Sequence, residues 1–177
     1  MELPSRPNCG KLAGAQGRCD GGRIVSLSSS TALDYLREIS SLLDHGYPGT
    51  CVRHACRLAE LLLAEGKHPW IARLRDIQET AFGVFHGPLR PTGLAGPACP
   101  TWTTHYVACE GDLVYDPLAS EPTPLAIFAC SVFGRELPIE CFLDAATTAE
   151  RCSRGELLAA FRVKRVPVLD CSESEAR

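Results

Sequence analysis

The stretch GTCVRHACRLAELLLAEG, residues 49 to 66, reads as an amphipathic helix with a cysteine in its first turn. Thr50 is a natural N-cap, because its side-chain oxygen can accept from the unpaired N–H groups of the opening turn. Ala55, Leu58 and Leu62 follow Cys51 along one face, and Gly66 suits the helix end. Cys51 therefore points from a helix N-terminus towards the core side, where free backbone N–H groups and the helix dipole favour negative charge on sulfur. That combination makes Cys51 the preferred nucleophile.

A thiol needs a base, and the second informative stretch supplies one. Thr101 to Pro117 reads as a β-hairpin: TWTTHYVAC, a turn around Glu110, Gly111 and Asp112, then LVYDP. With Glu110 and Gly111 as a two-residue turn, Cys109 faces Asp112 and His105 falls directly opposite Asp116. Any even-length loop keeps the two on one face. An acid there holds one ring nitrogen of His105 and leaves the other for the thiol, the arrangement of a Cys-His-Asp triad.

Two other histidines compete as the base. His54 lies one helical turn after Cys51, so it can adjust the local field but lacks the separate positioning a triad normally has. His86 falls in a Gly- and Pro-rich segment where a substrate contact is as natural as exposure. Tyr47, Gly49 and Thr50 precede the nucleophile, and the Cys51 N–H is an expected oxyanion donor. Tyr47, Thr50, Trp102 and His86 are accordingly the expected substrate-binding or oxyanion residues. No upstream Gln or Asn stands where a second donor would be.

Around these elements the chain is organised as one domain over residues 24–170. Residues 1–23, with Pro4, Pro7 and five glycines, read as a flexible lead-in, and 171–177 as a tail. Leu33, Leu36, Ile39, Leu42 and Leu43 recur at helical spacing from about Thr31 to His45, with Ser28 to Ser30 as caps and Gly46 at the end. Trp70 to Leu74 alternates as a strand, and residues 76 to 100 read as a long loop able to form a wall or lid. Leu125 to Phe133 reads as a helix after Pro124, whereas Leu157 to Val168 fits a helix or a strand.

Composition narrows the partners. Eighteen Lys+Arg against twenty-one Asp+Glu in 177 residues give a net charge of -3, without the basic excess that a phosphate backbone demands. The longest apolar run, Leu125 to Cys130, is far short of the ~20 residues of a membrane span. The expectation is thus no nucleic acid, no membrane and, without an apolar signal segment at the N-terminus, a cytoplasmic location. Ten cysteines permit disulfides, a metal site or small buried hydrophobes. With no CxxC and no paired His spacing, most are expected to be packed or unpaired thiols. No glycine-rich nucleotide loop or carboxylate-rich metal loop is present, and no cofactor is expected.

GTCVRHACRLAELLLAEG and THYVACEGDLVYDPL together resemble the papain-like superfamily in its compact bacterial forms, among them NlpC/P60 hydrolases, transglutaminase-like proteins and papain-fold toxin domains. The resemblance covers roughly residues 30 to 135, in the order Cys51, His105, Asp116, and lacks the oxyanion Gln usual in the peptidases. It implies an α+β, papain-like fold with the nucleophile helix packed on an antiparallel sheet. It also implies a cysteine hydrolase acting through an acyl-enzyme on an amide, plausibly in a peptide or protein, or on a small amide or thioester. A protein-glutamine deamidase or transglutaminase-like acyltransferase is the alternative, and a non-catalytic papain-fold binding module the competing class. The toxin relatives add delivery as an effector. Oligomeric state is left open.

Overall fold

The structure is a computed structural model that describes residues 31–94 and 99–161. The expected lead-in, tail, Ser28 to Ser30 caps and the residues after Phe161 lie outside the described residues. Helix α1 (Ala32–Ser40) is capped by Thr31, whose Oγ1 accepts from the Asp34 N–H at 3.1 Å. A 3-10 turn (Leu43–His45) follows, so the helix expected to reach His45 is broken after Ser40. Gly46, at φ 109°, redirects the chain towards the second helix.

Helix α2 (Cys51–Ala64) starts and stops where its sequence says it should. Thr50 Oγ1 accepts from the Arg53 N–H at 3.3 Å, and Gly66, at φ 76°, lets Lys67 N–H reach back to the Leu62 carbonyl. The Ala32 N–H donates to Glu65 Oε1 at 2.7 Å, which ties the start of α1 to the end of α2.

Strands β1 (Trp70–Leu74), β4 (His105–Glu110), β5 (Leu113–Tyr115), β6 (Thr123–Pro124) and β7 (Ile139–Leu143) form one antiparallel sheet in the order β6-β5-β4-β1-β7. The protein is thus α+β with an antiparallel sheet. Between β1 and β4, β2 (Asp76–Thr80) and β3 (Gly83–Gly87) make a separate two-stranded sheet. This corrects the reading of residues 76 to 100 as loop. The hairpin escapes a search for apolar alternation because it is largely exposed on both faces, Phe82, Val84 and Phe85 included.

Alternation divides the core. Ile71 and Ala108 pack with Leu36, Leu58 and Leu62 under α1 and α2, while Ala72, Leu74, Val107 and Cys109 pack with Phe128 and Phe133 of α3 (Leu125–Phe133). After β7, Asp144 caps α4 (Ala145–Ser153), its Oδ1 accepting from the Thr147 N–H at 2.7 Å. A 3-10 turn over Leu157–Phe161 then returns to α2, with Leu157 in the core. Burial of apolar surface on both faces of the central strands fixes the sheet against α2, and so fixes where Cys51 sits.

Candidate active site

Cys51, His105 and Asp116 come from three elements and meet in the interior, at 5%, 0% and 1% exposure respectively. Cys51 is the first residue of α2, His105 the first of β4, and Asp116 follows the last residue of β5. Glu110 pairs with Leu113, Cys109 with Val114 and Ala108 with Tyr115, so the turn is Gly111–Asp112, with Gly111 at φ 55°. This corrects the sequence register, which put the turn at Glu110–Gly111. Continuing the observed pairing sets Asp116 opposite Val107. His105 is then its diagonal neighbour on the same face, because an even loop preserves parity.

The diagonal is closed by a hydrogen bond: His105 Nε2–H donates to Asp116 Oδ2 at 2.8 Å. The other carboxylate oxygen, Oδ1, accepts from the Leu118 N–H at 2.8 Å, so the acid is held by the backbone turn that follows it. Burial alone would lower the imidazole pKa. The charge and hydrogen bond of Asp116, together with the hydrogen bond and charge of Cys51, outweigh it and raise the pKa to about 9. With Nε2 engaged by the acid, Nδ1 is the nitrogen left for the thiol. It is buried and has no hydrogen-bond partner among the described residues.

Aromatic rings enclose the triad. Trp102 lies against His105 at 4.6 Å between ring centroids, and Phe133 meets the same imidazole edge-on at 5.6 Å. Trp102 is held by a pair of backbone hydrogen bonds with Leu89, at 2.7 and 3.0 Å. Tyr47 stands edge-on to Trp102 at 5.1 Å and to His54 at 5.2 Å. A cleft of about 270 Å³ is lined by Leu43, Asp44, Thr92, Leu118 and Val132, among others; Cys51, His105 and Asp116 do not line it.

His54 is buried and fully engaged. Its Nε2–H donates to the Pro48 carbonyl, which leaves Nδ1 to accept from the Tyr35 hydroxyl at 2.8 Å. Burial lowers its pKa, consistent with a neutral ring of fixed tautomer. With both nitrogens occupied it has no lone pair for the thiol proton, so its place is to hold the segment that leads into Cys51. Tyr35 and Phe133 were not read as site residues from sequence; a tyrosine on the apolar face of α1 is the signal, since its hydroxyl must find a partner when buried.

The other expected residues divide. Trp102 and Tyr47 are in the cluster. Thr50 is exposed and its hydroxyl oxygen serves the helix cap, while His86 lies exposed on β3, opposite Ile77, away from the buried rings. The seven cysteines of the described residues are unpaired. Cys56 and Cys109 are core residues whose thiols burial pushes up to about 12, a setting for packing and not for nucleophilic attack. Among the described residues no group of three side chains is arranged to hold a metal ion, and no helix is long and apolar enough to cross a membrane. Compared with known proteins, the chain matches no family model, no curated protein and no solved structure.

Proposed function

We propose that this chain is a thiol-dependent hydrolase of papain-like architecture that cleaves an amide bond, in a peptide or protein, through an acyl-enzyme on Cys51. The observation that carries the reading is that Cys51 and Asp116 both act on one buried imidazole, the acid through a hydrogen bond to Nε2 that leaves Nδ1 for the thiol.

An imidazole whose pKa is raised to about 9 is protonated at neutral pH, and Asp116 and Cys51 are the groups that raise it. The sulfur attacks the carbonyl carbon and the carbonyl electrons move to oxygen. As the intermediate collapses, the C–N bond breaks and the leaving nitrogen takes the proton from His105. Water then attacks the thioester, His105 accepts its proton, and the released thiolate restores the pair. Proton transfer of this kind contributes about 10²–10⁴-fold. Asp116 keeps the ring oriented through its hydrogen bond to Nε2.

Alkylation by iodoacetamide at pH 7, followed by peptide mapping, tests the reading. Cys51 is expected to react ahead of the exposed Cys130 and Cys141, and His105→Ala is expected to abolish that lead. A trapped acyl group on Cys51, found by mass after incubation with peptide substrates, would complete the case. Equal labelling of all accessible thiols would instead mark a non-catalytic module, and ammonia release without chain cleavage would move the activity to deamidation.

A further inference from the structure

Four buried side-chain polar atoms lack a hydrogen-bond partner among the described residues: His105 Nδ1, the Tyr47 hydroxyl, and one guanidinium nitrogen each of Arg75 and Arg151. An arginine has further nitrogens with which to satisfy itself, and Arg75 does so on Glu140. A tyrosine has a single polar atom. Native interiors rarely leave such an atom unpaired, and an exception marks strain, a catalytic role, or a water or ion that completes the bond. Here one orphan is the imidazole nitrogen left for the thiol, and the other belongs to a phenol whose ring meets Trp102, which in turn lies against that imidazole.

Tyr47 is also fixed in place. Gly46 at φ 109° and Gly49 at φ 83° bend the backbone on either side of it, the Pro48 carbonyl is held by His54, and the Tyr47 ring is packed between His54 and Trp102. The other polar side chains on this entry to α2 are taken: Thr50 by the helix cap and His54 by Tyr35 and Pro48. Burial and the charges of Asp116 and Cys51 hold the phenol pKa well above its ordinary value, so the hydroxyl remains a neutral donor. A buried neutral donor in the ring cluster that reaches His105, on the segment leading into a thiol at a helix N-terminus, suits developing negative charge on an acyl oxygen.

We infer that the Tyr47 hydroxyl is the side-chain oxyanion donor of this site, hydrogen-bonding the acyl oxygen of the substrate jointly with the backbone N–H of Cys51. The inference rests on the hydrolase reading above and deepens it, since it commits the site to carbonyl substrates. When sulfur bonds to the carbonyl carbon, the π electrons pass to oxygen and the Tyr47 O–H bonds that oxygen without giving up its proton. The hydrogen bond weakens again as the carbonyl reforms and the leaving group departs.

The full-length chain and its Tyr47→Phe variant are compared in two reactions at Cys51. Acylation by p-nitrophenyl acetate passes through an oxyanion; alkylation by iodoacetamide displaces iodide at a saturated carbon and does not. Tyr47→Phe is expected to slow acylation at least tenfold, within reach of the about 10²–10³-fold typical of a lost oxyanion donor. Alkylation is expected to change less than twofold, and the thermal midpoint is expected not to fall, because the group removed has no partner in the folded chain. Unchanged acylation overturns the inference, as does an equal loss in both reactions, which would assign Tyr47 to holding the thiol in place. A wild-type protein that alkylates at Cys51 but never acylates overturns the hydrolase reading, and this inference with it.

Discussion

His105 and Asp116 are joined on the diagonal of their hairpin, two residues from direct opposition, by a 2.8 Å hydrogen bond. Diagonal neighbours on one face stand about 7–8 Å apart, a gap that an imidazole and a short acid can span together but two short side chains cannot. The acid's second oxygen is anchored by the Leu118 N–H, so the imidazole is oriented by a carboxylate that is itself immobile.

Replacing Asp116 by Asn should separate orientation from folding. The amide oxygen can keep the Leu118 N–H, whereas an amide NH₂ facing Nε2 presents a donor where the ring needs an acceptor and favours the wrong tautomer. Acylation of Cys51 is expected to fall on the order of 10²–10⁴-fold, with a far-ultraviolet circular dichroism spectrum like that of the wild type. Retained acylation would show that the carboxylate does not set the ring.

The raised imidazole pKa carries a stability signature. A histidine at about 9 in the folded chain and 6.5 when unfolded stabilises fully below pH 6.5, and that contribution is lost as pH climbs through 9. Between pH 7 and 8 the loss is about 1 kcal/mol, and ionisation of buried thiols on unfolding adds to it in the same sense near pH 8, so the imidazole share is the part that Asp116→Asn removes. His54, with its lowered pKa, acts below this window and with the opposite sign. Urea unfolding at the two pH values measures the fall, which should shrink in Asp116→Asn; a flat wild-type profile would count against a charged ring.

Tyr35→Phe tests the support behind the nucleophile. It leaves His54 Nδ1 buried without its donor, at a cost of about 1–3 kcal/mol. Because His54 positions Pro48 and packs on Tyr47, alkylation and acylation of Cys51 are expected to slow together, unlike the split expected for Tyr47→Phe. A stability loss with both rates untouched would confine Tyr35 to packing.

Leu58 is fully buried where α2 meets the sheet, so Leu58→Ala removes contacts and leaves a cavity. The expected cost is about 2–5 kcal/mol, read as a shift of the urea midpoint at constant slope. A cost under 1 kcal/mol would mean that α2 is less firmly seated than its burial indicates.

Much of this arrangement was legible from local patterns. Thr50, the Cys51 face and Gly66 mark α2 because caps and helical periodicity are short-range. The His105–Asp116 pairing survived a one-residue error at each side of the turn because parity, not the particular turn, decides which face a strand residue takes. The exposed β2–β3 hairpin has no core side to impress on its sequence. Residues from Ile139 to Ser153 were not read as elements, although Asp144 followed by Thr147 was a cap signal. The part played by His54 depends on a hydroxyl 19 residues earlier in the chain, and no local window contains that pairing.

Leu74 and His105 are register partners at the ends of β1 and β4, so the described residues between them leave the central sheet and rejoin it at a single point. That excursion carries the ring of Trp102 and the aromatic tip at Phe82 and Phe85, but neither the sulfur nor the acid. The Trp102 ring that lies against His105 is therefore encoded on a different stretch of polypeptide from Cys51 and Asp116. A change in the length or composition of that excursion leaves in place the register that seats His105 against β1 and Asp116 against β4.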